Sequence, residues 1–184
     1  MEEFLEKSPS SSNMNIFFLH PNPRRCARWH CDKHVVKMIL ESCQLLYTCH
    51  WALTSDAEPA YLHCAPSRGY KPTHPNHPCG IWLRESLDNY RWLVALTKEL
   101  ILEYHYRYGG KTHSCEKHIE WLEMVEPEGL VSKGFTRPAQ AMPVQYRHSN
   151  ATTAYRMFYL HDKDRERGIV KYTKRHRPHF LRIT

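Results

Sequence analysis

Four side chains capable of acid–base and phosphate chemistry lie at regular intervals near the start of the chain. They are spaced by four, three and four residues, so a helix would place them on one face: His30, His34, Lys37 and Glu41. Two imidazoles, an ammonium and a carboxylate in a row could hold a phosphate and protonate a leaving group. A Lys–Glu pair four residues apart is also common on a solvated helix face, and composition alone favours that interpretation.

A second set of possible ligands lies in a long, proline-rich connection at residues 54–78. The spacing His74-x-x-His77-x-Cys79 could bind zinc. The donors that could complete such a site are His63, Cys64, Cys115 and His118. This spacing matches no standard zinc framework, and the histidines could instead cap a helix or contact a phosphate. We therefore expect no metal and no other cofactor, with a metal-dependent site as an alternative.

The net charge of +7 is concentrated at the end of the chain. Residues 163–184 contain eight lysines and arginines against two acidic residues, with aromatic residues between them. Such a pattern suits a nucleic-acid backbone, although a solubilising tail is the common alternative. We expect binding with a steep salt dependence that becomes flatter when residues 163–184 are deleted.

Other candidate nucleic-acid contacts are spread along the chain. Arg84 lies beside the His-rich connection near a predicted helix start, which would attract anions. Residues 135–143 mix apolar and amide groups, so they could form a lid, a loop that reads bases or a wall of the core. The complete predicted set is His30, His34, Lys71, His74, His77, Arg84, Arg137, Gln140, Lys171, Lys174 and Arg175.

Length and composition limit the class of protein. The 184 residues suffice for one domain with a substantial core. No apolar run approaches the ~20 residues that span a bilayer, so no membrane partner is expected. Residues 1–13 lack the features of a signal peptide, and the seven cysteines include no CxxC pair. We expect an intracellular, unsecreted monomer without a disulfide scaffold.

The elements that must position these residues are helices. Asn22 with Pro23, and then Asp32, predict helix starts, so residues 22–53 form either one kinked helix or a short turn before a longer helix. Helical spacing predicts a buried stripe of Val36, Ile39, Leu40, Cys43, Leu46, Tyr47 and His50. Further helices are predicted from about Cys79 to Tyr108, after Ser114 and after Asn150.

The strand pattern is negligible, so the expected fold class is mainly α. We expect a compact bundle of about four helices with long Pro/His-rich loops and little or no sheet. Residues 1–13 are predicted to be a disordered arm, residues 14–162 a single helical domain and residues 163–184 a basic tail.

Five separated motifs resemble, in order, a family of short proteins of phages and large DNA viruses. The motifs are DKHVVKM (residues 32–38), YKPTHPNHP (70–78), RES with NY (84–90), RYG (107–109) and QAMP (140–143). This resemblance covers residues 14 to about 175. It implies a viral protein that acts in the cytoplasm or nucleus of an infected host, or in a viral factory.

A second pattern is similar to the pyrimidine-dimer DNA glycosylases of the phage endonuclease V type. It consists of a helix that carries His34 and then Glu41, followed later by His77 leading into a long helix that ends in RYG. The resemblance implies a basic, all-helical repair enzyme that cuts the glycosidic bond of a damaged pyrimidine and breaks the strand by β-elimination. It also implies that Glu41 is the catalytic carboxylate, that His34 contacts a phosphate, and that one nucleotide is flipped out.

The nucleophile implied by this resemblance is an N-terminal amine. Residues 1–13 precede Met14, so the amine of Asn15 is the candidate if translation begins at Met14 or the arm is removed. Lys33 and Lys37 are alternative nucleophiles, because neighbouring cations favour a neutral amine. Leu40 and Gln44 stand where the family has arginines beside its carboxylate.

Three interpretations follow. We favour a DNA-repair glycosylase/AP lyase that acts on pyrimidine-dimer-type or abasic DNA through an imine. The alternatives are a non-catalytic nucleic-acid-binding protein and a metal-dependent enzyme that acts on nucleotides or nucleic acid through the His-rich connection.

Overall fold

A computed structural model describes residues 15–55 and 57–182. Six α-helices follow one another along these residues: α1 (Pro23–Trp29), α2 (Asp32–Ala52), α3 (Pro78–Leu83), α4 (Leu87–Arg107), α5 (Glu116–Met124) and α6 (Ala151–Phe158). Helix α6 continues as a π-helical segment, Tyr159–Glu166. Short 3-10 turns occupy Ala60–Cys64, Pro66–Arg68, Val144–Tyr146 and His179–Leu181. The described residues form no strand, so the predicted mainly α class is confirmed. The predicted arm at residues 1–13 lies outside the described residues.

The bundle has six helices rather than about four because local caps divide both long predicted segments. Helix α1 ends at Trp29, and α2 begins at Asp32, which corresponds to the alternative of a short turn before a longer helix. The segment predicted from Cys79 to Tyr108 breaks before Ser86, which has an extended backbone. The Ser86 hydroxyl accepts a hydrogen bond from the Asp88 amide and thereby starts α4.

Helix α2 is the central element and packs against α3, α4 and α5. The predicted buried stripe is wrong at two positions, because Val36 and Leu40 are 38% and 39% exposed. His34 and Glu41 are buried instead. The buried face is therefore wider than the apolar stripe and includes polar side chains that have partners on other elements.

The two ends of the described chain pack on this bundle. Residues 16–19 run as an extended, buried segment, in which the Phe17 ring contacts both His34 and Tyr159. At the other end, Phe180 and Leu181 are buried, and the Tyr172 hydroxyl donates to the Trp29 carbonyl at 2.6 Å. None of the helices in the described residues has the length and apolar character needed to cross a bilayer.

Candidate active site at Asn15 and Glu41

The extended N-terminal segment brings Asn15 to the carboxylate of Glu41 on α2. The main-chain N–H of Asn15 donates a hydrogen bond to this carboxylate. The ammonium of Lys37, one turn earlier on α2, lies 3.4 Å from Glu41 Oε1. Glu41 Oε2 is buried and has no hydrogen-bond partner among the described residues. The site therefore combines a main-chain nitrogen, an ammonium and a carboxylate oxygen that is open to a further partner.

The environment of Glu41 favours its protonated form more than water does. Burial raises the pKa of Glu41 above its ordinary value, and the charge of Lys37 and the Asn15 hydrogen bond reduce this rise without cancelling it. A carboxyl group with a raised pKa can both accept and release a proton nearer to neutral pH, which is the property that general acid–base catalysis requires.

His34 lies one turn before Lys37 and is held from two sides. Its ring stacks on Phe17 with centroids 4.3 Å apart, and its Nδ1 lies 2.7 Å from the Tyr159 hydroxyl. Burial lowers the pKa of His34 well below its ordinary value, and nearby cations lower it further. The imidazole is therefore neutral at pH 7, so it can contribute a hydrogen bond here but not a positive charge.

Positive charge near this site comes from lysines. Lys33 is exposed on α2, and Lys37 is partly exposed on the same side of the helix. Lys163, on the π-helical segment, has its ammonium 4.6 Å from the centre of the Phe158 ring and acts electrostatically on His34. The sequence places Lys163 only in the basic tail, because no local pattern links residue 163 to residue 34.

The sequence profile of the family described as pyrimidine dimer DNA glycosylase matches residues 14–117, which is more than half of the chain. The chain belongs to this family. No curated protein and no solved structure matched the chain in the corresponding searches. The matched range of this DNA-repair glycosylase includes Asn15, Lys37 and Glu41, and it ends at the start of α5. The QAMP motif and α6 lie beyond it.

His30, the first residue of the predicted catalytic row, is separated from the others. It follows the end of α1, is fully buried, and its Nδ1 lies 2.7 Å from the Cys26 carbonyl. Burial lowers the pKa of His30 to about 4. A neutral, buried imidazole at this position has no surface through which it could contact a nucleic acid.

Several side chains of the His-rich connection bond to their own segment and to its immediate neighbours. His77 Nδ1 accepts from the Cys79 amide and caps α3, and His74 Nδ1 lies 2.8 Å from the Thr73 hydroxyl. Arg84 Nη2 donates to the Pro75 carbonyl at 2.9 Å, and the Lys71 ammonium lies 6.0 Å from the Trp51 ring. Across the described residues, no group of three or more His, Cys, Asp and Glu side chains is arranged to hold a metal ion.

The remaining predicted contacts are not gathered around Glu41. Arg137 and Gln140 both bind the main chain of His148. Arg175 forms two hydrogen bonds with buried Glu103, and Lys174 donates to the Tyr106 carbonyl at 3.1 Å. The main chain of Lys171 is bonded to Asp32, at the start of α2 and roughly 13 Å along the helix axis from Glu41.

A cavity of about 590 Å³ lies between α1, α4 and α5. Charged residues of both signs line it, and two ion pairs, Arg91–Glu126 and Lys98–Glu123, join α4 to α5 and the residues just after it. None of the predicted catalytic residues lines this cavity. This cavity therefore does not bring the predicted catalytic residues together.

Proposed function

We propose that this member of the family is a DNA glycosylase/AP lyase that acts on damaged pyrimidines or abasic sites through an imine formed by the amine of Asn15. One observation carries the proposal: the main-chain nitrogen of Asn15 is hydrogen-bonded to the buried carboxylate of Glu41. In a chain that begins at Asn15, this nitrogen is a primary amine beside a proton acceptor.

The proposed reaction begins when the neutral amine attacks C1′ of the flipped nucleotide and forms a C1′–N bond. The electron pair of the glycosidic bond leaves with the base, which takes up a proton from solvent water. Glu41 accepts a proton from the attached amine and delivers it to O4′ as the C1′–O4′ bond opens, which leaves a protonated imine. Loss of a C2′ proton then expels the 3′ phosphate by β-elimination.

The exposed side of α2 is the proposed DNA-facing surface. It carries Lys33 and Lys37 for phosphates and the exposed apolar side chains of Val36 and Leu40 between and beside them. Glu41 follows directly after Leu40 on the same helix. A duplex that lies on this surface would present a flipped nucleotide close to the carboxylate.

Lys33 and Lys37 remain alternative nucleophiles. The ammonium of Lys37 is ion-paired with Glu41 and lacks, in that state, the lone pair that attacks C1′. Lys33 is exposed at the first turn of α2, two turns before Glu41. We favour Asn15 because its nitrogen is bonded to the carboxylate itself.

Borohydride trapping on a duplex with an abasic site tests the proposal. A chain beginning at Asn15 is compared with the full 184-residue chain, and peptide mass spectrometry locates the adduct. We expect the shorter chain to trap at least about tenfold faster, with the adduct on the Asn15 amine, because the amine is already placed at its proton acceptor.

The lysines provide the control. Lys33→Arg and Lys37→Arg keep the positive charges but cannot form an imine, so they should not reduce trapping by the shorter chain. Equal trapping by both chains that is abolished by one of these substitutions would move the nucleophile to that lysine. No trapping by either chain, with DNA binding retained, would favour a non-catalytic nucleic-acid-binding protein.

A further inference from the structure

The side chain of Asn15 is held in a buried polar network that the reaction described above does not use. Asn15 Nδ2 donates to the Ala141 carbonyl at 2.8 Å, and Asn15 Oδ1 accepts from the Ile16 amide at 2.8 Å. The thiol of Cys79, at the start of α3, lies 3.6 Å from the same oxygen. One amide side chain is thereby bonded to its own segment, to the QAMP motif and to α3.

Tyr155 of α6 closes this network. Its hydroxyl is fully buried and faces two acceptors, Asn15 Oδ1 at 3.1 Å and the Ala139 carbonyl at 2.6 Å. The Tyr155 hydroxyl oxygen also accepts a hydrogen bond from the Ala141 amide at 3.3 Å. Burial raises the pKa of Tyr155 well above its ordinary value, so the hydroxyl keeps its proton at neutral pH and can donate within the network.

The main-chain nitrogen and the side chain of Asn15 share one Cα atom, so fixing the side chain also fixes where the nitrogen points. The nitrogen points to the carboxylate of Glu41. Only an amide can donate to the Ala141 carbonyl while its oxygen accepts from the Ile16 amide and faces Tyr155. This requirement gives a physical reason for asparagine at position 15 and for the close approach of residues 139–141.

We propose that Tyr155, together with residues 139–141, is a positioning device that holds the nitrogen of Asn15 against the Glu41 carboxylate. The expected effect of Tyr155 on imine formation rests on the proposed function. Its effect on the position of the Asn15 nitrogen does not. Tyr155 acts through Asn15 and does not touch the DNA. The proposal also gives the QAMP motif a role, because Asn15 is bonded to Ala141 of this motif.

The test compares two buried tyrosines of neighbouring turns. Tyr155→Phe removes the hydroxyl that faces Asn15, whereas Tyr159→Phe removes an equally buried hydroxyl that contacts His34 and the Cys31 amide instead. In the full chain, NMR titration of the Glu41 side-chain carboxyl should give a higher pKa in Tyr155→Phe, because a loosened Asn15 stabilises the carboxylate less. Tyr159→Phe should leave that pKa where it is in the unsubstituted chain.

Imine trapping on abasic DNA provides the second measurement. In the chain that begins at Asn15, Tyr155→Phe should slow trapping by about 10- to 100-fold, the range expected when a reacting group is misplaced by up to about 1 Å, and Tyr159→Phe should slow it far less. If Tyr155→Phe does not fold, Cys79→Ala removes a weaker contact with Asn15 and should shift the Glu41 pKa in the same direction by less.

The outcomes separate the two proposals. A Glu41 pKa that is the same in Tyr155→Phe and in Tyr159→Phe would overturn the positioning role, whatever happens to trapping. A raised Glu41 pKa in Tyr155→Phe would support the positioning role even when no variant and no unsubstituted chain traps DNA, and in that case the lyase proposal alone fails.

Discussion

At the scale of single residues, two buried glutamates show how the neighbouring groups set the direction of a pKa shift. Burial raises the pKa of Glu103, but hydrogen bonds and charges from Arg175 and Arg107 outweigh it, so the net pKa lies below its ordinary value. Glu41 has one lysine, one main-chain hydrogen bond and an oxygen without a partner in the described chain, and its net pKa is raised. The surroundings of Glu103 therefore stabilise its ionised form, whereas those of Glu41 favour its protonated form.

Glu41→Gln tests this difference. It keeps the size and removes the charge, so strand cleavage should fall about a hundredfold or more while DNA binding stays nearly unchanged. Because the folded protein favours protonated Glu41, the ionised form costs stability at neutral pH, and the variant should have a higher melting temperature at pH 7. This advantage should shrink as the pH falls through the titration of Glu41, as measured by thermal unfolding at several pH values.

Glu103→Gln is the matched control. Its carboxylate is more stable ionised than in the unfolded chain, so the stability it contributes is present above the ordinary glutamate pKa. The substitution should therefore lower the melting temperature at pH 7, which is opposite to Glu41→Gln. Wild-type cleavage by Glu41→Gln would remove Glu41 from the mechanism.

At the scale of elements, α2 exposes some apolar side chains and buries several polar ones. Val36 lies between Lys33 and Lys37 and Leu40 beyond them, and both are exposed, while His34, Glu41 and Thr48 are buried. The basic residues 163–182, by contrast, are largely engaged within the protein, as the Arg175–Glu103 and Arg177–Asp164 ion pairs show. We therefore propose that α2 rather than the end of the chain contacts phosphates.

The salt dependence of DNA affinity distinguishes these two surfaces. Lys33→Gln should reduce the slope of log affinity against log salt by about 0.9, the value for one lost phosphate contact. Arg175→Gln should leave the slope unchanged, because its guanidinium is already paired with Glu103. Fluorescence anisotropy at several salt concentrations measures both. A larger loss of slope for Arg175→Gln than for Lys33→Gln would indicate that the DNA contacts lie in the basic tail.

At the scale of the whole molecule, Arg107 of the RYG motif joins four parts of the chain. Its fully buried guanidinium donates to the carbonyls of Arg28 and His30 at the end of α1 and to the Asp32 carboxylate at the start of α2. It also pairs with Glu103, which in turn holds Arg175. Deletion of residues 163–184 would disturb this assembly, so point substitutions are the cleaner test of DNA contacts.

Arg107→Met should therefore cost about 3–5 kcal/mol of unfolding free energy, because it leaves buried carboxylates and carbonyls without their partner. Arg91→Met, on the same helix, removes an exposed ion pair with Glu126 and should cost far less, because solvent screens exposed charges. Urea denaturation measures both losses. A similar small loss for the two variants would show that the RYG arginine is not the tie between the helices.

The sequence by itself determined the mainly α class, the helix starts after Asn22 and at Asp32, and the motifs that resemble DNA glycosylases. These features are local: a cap acts within one turn, and a motif is a run of neighbouring residues. Glu41 could be singled out in the same way, because its spacing from His34 is read along one helix.

Only the tertiary structure decided that Asn15 meets Glu41 and that Tyr155 holds Asn15. It also decided that His30 is separated from the other residues of the predicted catalytic row. Periodicity reports which side chains are apolar, but a polar side chain is buried when a distant element supplies its hydrogen-bond partner. The partners of Asn15 lie on α3, α6 and the QAMP motif, up to 140 residues away. Such pairings depend on how the helices pack, and no local pattern encodes them.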